Sequence, residues 1–114
     1  MSDQCVFCYI WKGKTPTEFL FHDGRVFVIR DKFPKAPIHL LLVPVIHLPS
    51  LAYVNVGHES VLGHLFLVAE EMAKRFKVAS DGYRLVMNQG SHADMTVTHL
   101  HLHLLAGNQL GNMG

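Results

Sequence analysis

The sequence predicts an α+β domain in which one long helix covers a face of a mainly antiparallel, five-stranded sheet. Three observations predict it: several short runs rich in Val, Ile, Leu and Phe, one long segment with apolar residues three and four apart, and a closing run, His99-Leu100-His101-Leu102-His103-Leu104, that alternates strictly. Alternation is the period of a strand, and spacing by three and four is the period of a helix.

A short N-terminal helix is expected ahead of the first strand. Glu18 to His22 and Arg25 to Arg30 read as strands one and two, and His22-Asp23-Gly24 between them carries the Asp-Gly chemistry of a tight hairpin. Pro34 and Pro37 mark a loop, after which Ile38 to Val43 forms strand three and Pro44 ends it. From His58 to Phe76, the residues Val61, Leu62, Leu65, Ala69, Met72, Ala73 and Phe76 make one helical face. Glu59 in its first turn and Lys74, Arg75 and Lys77 in its last complement the helix dipole, and Ser80-Asp81-Gly82 ends the segment. Tyr83 to Met87 reads as strand four, Gln89 to Asp94 as a polar loop, and His99 to Leu104 as strand five. That order of elements is the pattern of an antiparallel sheet with its helix on one side.

At 114 residues and 12.8 kDa the chain is expected to form a single domain over residues 1–114. Hydrophobic residues at 49% against 17% charged exclude a disordered chain. Ten Lys and Arg against nine Asp and Glu leave a net charge of +1, without the positive field that a dedicated nucleic-acid binder needs. No apolar run approaches the roughly 20 residues of a membrane span. The polar start Met1-Ser2-Asp3-Gln4 is not the basic opening of a signal peptide, so a cytoplasmic location with no membrane partner is expected. Cys5 and Cys8, three apart, read as a metal or redox pair rather than a disulfide framework.

Nine histidines in 114 residues stand out, and three of them fall at period two. In a strand His99, His101 and His103 would share one face, with the leucines turned into the core. Imidazole, with an ordinary pKa of about 6.5, offers a nucleophile, a proton carrier or a metal ligand near neutral pH. One such residue reads as a half-exposed strand position; three in register read as a chemical site. His22, His39, His58 and His64 read as surface or packing residues, and His92 lies in the polar loop.

The segment Thr98-His99-Leu100-His101-Leu102-His103-Leu104-Leu105 resembles the signature of the histidine triad (HIT) superfamily. Ile38-His39 through Val43-Pro44-Val45-Ile46-His47 is similar to that family's second block, Cys5-Val6-Phe7-Cys8 to its first, and Gly82-Tyr83-Arg84-Leu85-Val86-Met87-Asn88 to the strand before its phosphate loop. The match runs from about Cys5 to Gly107. It implies the HIT fold and a nucleotide hydrolase of the Hint-like branch. The implied reaction cleaves a phosphoramidate of a purine nucleotide, an AMP or GMP conjugate, through a nucleotidyl-histidine on His101. His103 would face the phosphate or leaving group, the carbonyl of His99 would orient His101, and Thr96 would lie near the leaving group. Asn88 would contact phosphate, Asp31 would bind the ribose hydroxyls, and Phe7, Ile10 and Ile29 would line the base pocket. Read from the residues alone, Asp31 has a turn residue ending strand two as its lesser reading, and Phe7, Ile10 and Ile29 are equally ordinary core. A homodimer is implied, and no catalytic metal. The chain departs from the family pattern at Asp94-Met95, where many members carry Gly-Gln, at Lys32, and in its tail after Gly107.

Cys5 and Cys8 supply half of a tetrahedral zinc shell; alone they read equally as two reduced thiols. The resemblance implies a structural zinc completed by His47 and His99. Alternatives remain open: a diadenosine polyphosphate hydrolase, a weakly active nucleotide- or zinc-binding regulatory module, and a metalloenzyme in which His99, His101 and His103 all bind one ion.

Overall fold

The computed structural model describes residues 5–114; the polar opening Met1 to Gln4 lies outside the described residues. Its elements in chain order are α1 (Val6–Trp11), β1 (Phe21–His22), β2 (Val26–Arg30), β3 (Ile38–Pro44), α2 (Glu59–Arg75), β4 (Tyr83–Val86) and β5 (Leu102–Ala106), with 3-10 turns at Leu51–Tyr53, Val56–His58 and Ser91–Ala93. The five strands form one sheet in the order β1-β2-β3-β5-β4, antiparallel throughout. No helix among the described residues is long and apolar enough to cross a membrane.

β2 and β3 are almost continuous apolar runs because both of their faces are covered. On one side, Leu65, Val68, Ala69, Met72 and Ala73 of α2 pack on Val26, Val28, Leu40, Leu42, Leu102, Leu104 and Ala106. On the other, Phe7, Cys8 and Ile10 at the start of the chain pack on Phe27, Ile29, Leu41 and Val43. Each fully buried Leu or Phe contributes about 1.5–3 kcal/mol, so it is burial rather than helix propensity that holds the six-residue α1.

The Asp-Gly hairpin is closed by its aspartate. Asp23 Oδ1 accepts from the N–H groups of Arg25 and Val26, both at 3.0 Å, and Gly24 takes a φ of +83°. β1 is shorter than the segment Glu18 to His22 suggests, although Leu20 N still donates to Val28 O at 2.8 Å.

β5 differs most from expectation: it starts at Leu102, not His99. The register sets Leu42 against Leu102, so its continuation would set Val43 against His101 and then Pro44 against Leu100. Pro44 has no N–H to give, and the ladder stops there. Leu100 N donates instead to Leu48 O at 2.8 Å, and the His99 ring bonds Pro44 O.

Candidate functional site

A cleft of about 680 Å³ opens on the α1 side of the sheet. α1 and the β2–β3 connection form one wall, the β4–β5 connection forms the other, and the floor is His101, just ahead of β5, with His103 and Leu105 of β5. Leu102, Leu104 and Ala106 point to α2, as the alternation predicts.

The triad divides into three environments. The His99 ring is buried at 1% exposure and turns away from the cleft, toward the cysteines. Its backbone carbonyl accepts from His101 Nδ1 at 2.8 Å. A carbonyl can only accept, so in the neutral imidazole of His101 Nδ1 carries the proton and Nε2 keeps its lone pair. Phe7 packs against His101 with ring centroids 5.1 Å apart, which fixes the ring beside the cleft.

His103 is held from behind by a residue that sequence reasoning placed among the surface or packing histidines. His39 is buried, and its Nδ1 accepts from Lys35 N at 3.1 Å. That leaves the proton on its Nε2, which donates to His103 Nδ1 at 2.9 Å. His103 must then carry its own proton on Nε2. Burial pushes His103 down to about 4, with His101 and His39 adding to the shift, and burial likewise lowers His39. Both rings are therefore neutral hydrogen-bonding groups at pH 7. Asp31, His39 and His103 could together approach a metal ion, but the proton fixed on His39 Nε2 occupies the position a metal would need. The signal for His39 was present: a polar residue inside an apolar strand must find a partner, and its period puts it on the face of Leu41 and His103.

Of the other expected residues, Asp31, Asn88, Thr96, Phe7, Ile10 and Ile29 all line the cleft. Phe7, Ile10 and Ile29 are at once wall and core, 4–6% exposed. Asp31 is both turn residue and cleft residue, since Oδ1 accepts from Phe33 N at 2.8 Å and Oδ2 lies 3.5 Å from His39 Nε2. His92 is exposed and lies outside the cleft lining. Arg30, Phe33, Lys35, Thr15 and Thr17 line the cleft without having been singled out, because long-range wall contacts carry no local sequence signal.

Behind His99 lies a second cluster. Cys5 Sγ is 3.2 Å from His99 Nδ1, Cys8 Sγ is 3.4 Å from His47 Nδ1 and 3.7 Å from His99 Nδ1, and the two Nδ1 atoms are 3.0 Å apart. Around a tetrahedral zinc ion, S···N edges of about 3.5 Å and N···N edges of about 3.4 Å follow from ordinary bond lengths. The His99 Nε2–H donates to Pro44 O at 2.8 Å, which presents Nδ1 as a bare donor atom in the manner of a metal-ligating histidine. Burial and the adjacent Cys5 push the Cys8 thiol up to about 11, and burial pushes His99 down to about 4. The donor set fits a divalent metal. Because the His99 ring belongs to this cluster, His99, His101 and His103 do not form one ligand set.

A family model described as the scavenger mRNA decapping enzyme C-terminal binding domain matches residues 4–113. The chain is 38% identical to a purine nucleoside phosphoramidase of Escherichia coli (strain K12), over 99% of this chain and 95% of that protein. It superposes on a HIT family hydrolase from Clostridium thermocellum with a TM-score of 0.93 at 37% identity, covering 97% of this chain and 96% of that one. The chain belongs to the histidine triad family. Another similar structure, a zinc-bound histidine triad family protein from Mycobacterium smegmatis, has a TM-score of 0.81 at 28% identity, covering 92% of this chain and 76% of that one. The HIT fold accounts for the antiparallel five-stranded sheet with its one long helix, and for the cleft over β5.

Proposed function

We propose that this HIT protein hydrolyses nucleoside 5′-phosphoramidates through a covalent intermediate on His101. The observation that carries this reading is the 2.8 Å contact from His101 Nδ1 to the His99 carbonyl, which leaves an unprotonated Nε2 as nucleophile. The Nε2 lone pair forms a bond to the α-phosphorus while the P–N bond breaks. The electron pair of that bond goes to the departing amine, which takes up a proton from water in the open cleft. Water then attacks the same phosphorus, the bond to His101 breaks, and the nucleoside monophosphate leaves as the ring returns to its neutral state. His103 Nε2–H and the Asn88 amide would hold the phosphoryl oxygens, Thr96 would stand beside the leaving group, and Asp31 would receive the ribose hydroxyls. Phe7, Ile10 and Ile29 form an apolar wall suited to a purine, so AMP and GMP conjugates are the expected substrates.

Incubation with a phosphorus-labelled adenosine phosphoramidate, rapid quenching and peptide mapping tests the chemistry. Label on His101, with turnover reduced roughly 10³-fold or more in His101→Ala, is the expected result. Label elsewhere, or an active His101→Ala, would overturn it.

Cys5, Cys8, His47 and His99 would hold a structural zinc ion, which on binding supplies a cross-link between the N-terminus and the sheet rather than a reactive centre. The support for zinc is the two-sulfur, two-nitrogen donor set. A homodimer and a cytoplasmic location complete the reading. β4 is a free sheet edge, and Phe66 and Leu67 stand 54% and 69% exposed on the outer face of α2. Light scattering at micromolar concentration should return twice the chain mass; a monomer would count against pairing.

A further inference from the structure

The charged side chains lining the cleft are divided between its walls. Arg30, Asp31, Lys32 and Lys35 stand on the wall that includes the β2–β3 connection, whereas on the β4–β5 side the charge is that of Asp94. Asp94 has a left-handed backbone, φ 58° and ψ 37°, which costs a residue with a Cβ more than it costs glycine. The turn that holds it is closed by backbone alone: Asp94 N donates to Ser91 O and Met95 N to Gly90 O, both at 3.1 Å. Its carboxylate is exposed and makes no ion pair among the described residues. A charge that the turn does not need, at a position lining the cleft, calls for a role toward what enters there.

That role follows from placement, and it rests on the phosphoramidase reading. With the base against Phe7 and Ile10 and the ribose at Asp31, the phosphate would lie over His101 and His103 within reach of Asn88, with the rest of the nucleotide between it and the basic wall. The group expelled from phosphorus then extends along the opposite wall, past Thr96 toward Asp94. A carboxylate there repels a second anion and attracts a cation, and the phosphate screens the leaving group from Lys32 and Lys35. We infer that Asp94 is a specificity-determining residue that favours nucleotide amidates whose departing amine carries a second, positively charged nitrogen.

Three adenosine 5′-phosphoramidates of matched length test this: those of 1,2-diaminoethane, propylamine and β-alanine, which end in a cation, a methyl group and an anion. kcat/KM is measured for the wild-type protein and for Asp94→Asn, and Kd for the same compounds is measured on His101→Ala with and without Asp94→Asn. In the presence of Asp94 the diamine conjugate should exceed the propylamine conjugate by about three- to fivefold, as an exposed ion pair allows, with β-alanine lowest. Raised salt should compress that ratio, and Asp94→Asn should abolish it. Equal values for the three compounds, or a ratio that survives Asp94→Asn, would overturn the inference. Charge-dependent binding to His101→Ala without wild-type turnover of any amidate would sink the hydrolase reading while supporting the subsite. Asp94→Gly, which relaxes the backbone, replaces Asp94→Asn should the latter melt early, and the same loss of ratio is expected.

Discussion

Two backbone groups decide which protons the site carries. The His99 carbonyl fixes one tautomer on His101, and the Lys35 N–H fixes another on His39, from which His103 takes its own. Replacing His39 by Ala should lower kcat by roughly ten- to a hundredfold, the size usual for a partner that orients a functional imidazole. His39→Gln, which keeps an N–H to offer His103, should recover part of the loss; equal rates in all three proteins would remove His39 from the chain of contacts. Stability should follow pH through the same rings. His103 sits at about 4 in the folded protein, against an ordinary value of about 6.5 unfolded. The unfolded chain thus binds more protons between those values. Stability is complete above about pH 6.5 and falls on the order of 2 kcal/mol as the pH drops toward 4. Urea midpoints across that range check the slope, which should flatten in His103→Gln. At this scale the triad itself was legible, since three imidazoles at period two announce a site. His39 was legible only as a polar residue inside an apolar strand; its partner is 64 positions away, and the register brings them together.

Among the elements, the pairing of β3 with β5 carries most of the architecture, since it sets one face of leucines on α2 and the opposite face on the cleft. Leu104 is fully buried between Leu40 and the helix, so Leu104→Ala should cost about 2–5 kcal/mol in chemical denaturation. A loss under 1 kcal/mol would mean that the face assignment is wrong. Helix α2 and strands β2 to β4 fall within two residues of their sequence bounds, because periodicity and the Asp-Gly and Pro punctuation are local signals. β5 was shifted because its start depends on a proline in another strand. Pro44 ends the ladder and frees the preceding three residues to turn one imidazole backward and another forward.

At the scale of the molecule, the Cys and His cluster ties the start of the chain to two distant loops. Cys8→Ser, or prolonged chelation, should lower the thermal midpoint; a loss of about 2 kcal/mol corresponds to about 10 °C in a domain of this size. Elemental analysis should return close to one zinc per chain before chelation, and a metal-free protein with an unchanged midpoint would refute the assignment. Here the Cys pair was legible as half a shell, and the resemblance supplied the other half. The wall proposed to meet the nucleobase stands on α1, six residues long and too short to persist by itself. With the proposed zinc in that cluster, a chelating resin or EDTA in a lysis buffer would become a kinetic variable. Two samples of identical covalent structure, differing only in purification history, would discriminate among bases to different degrees.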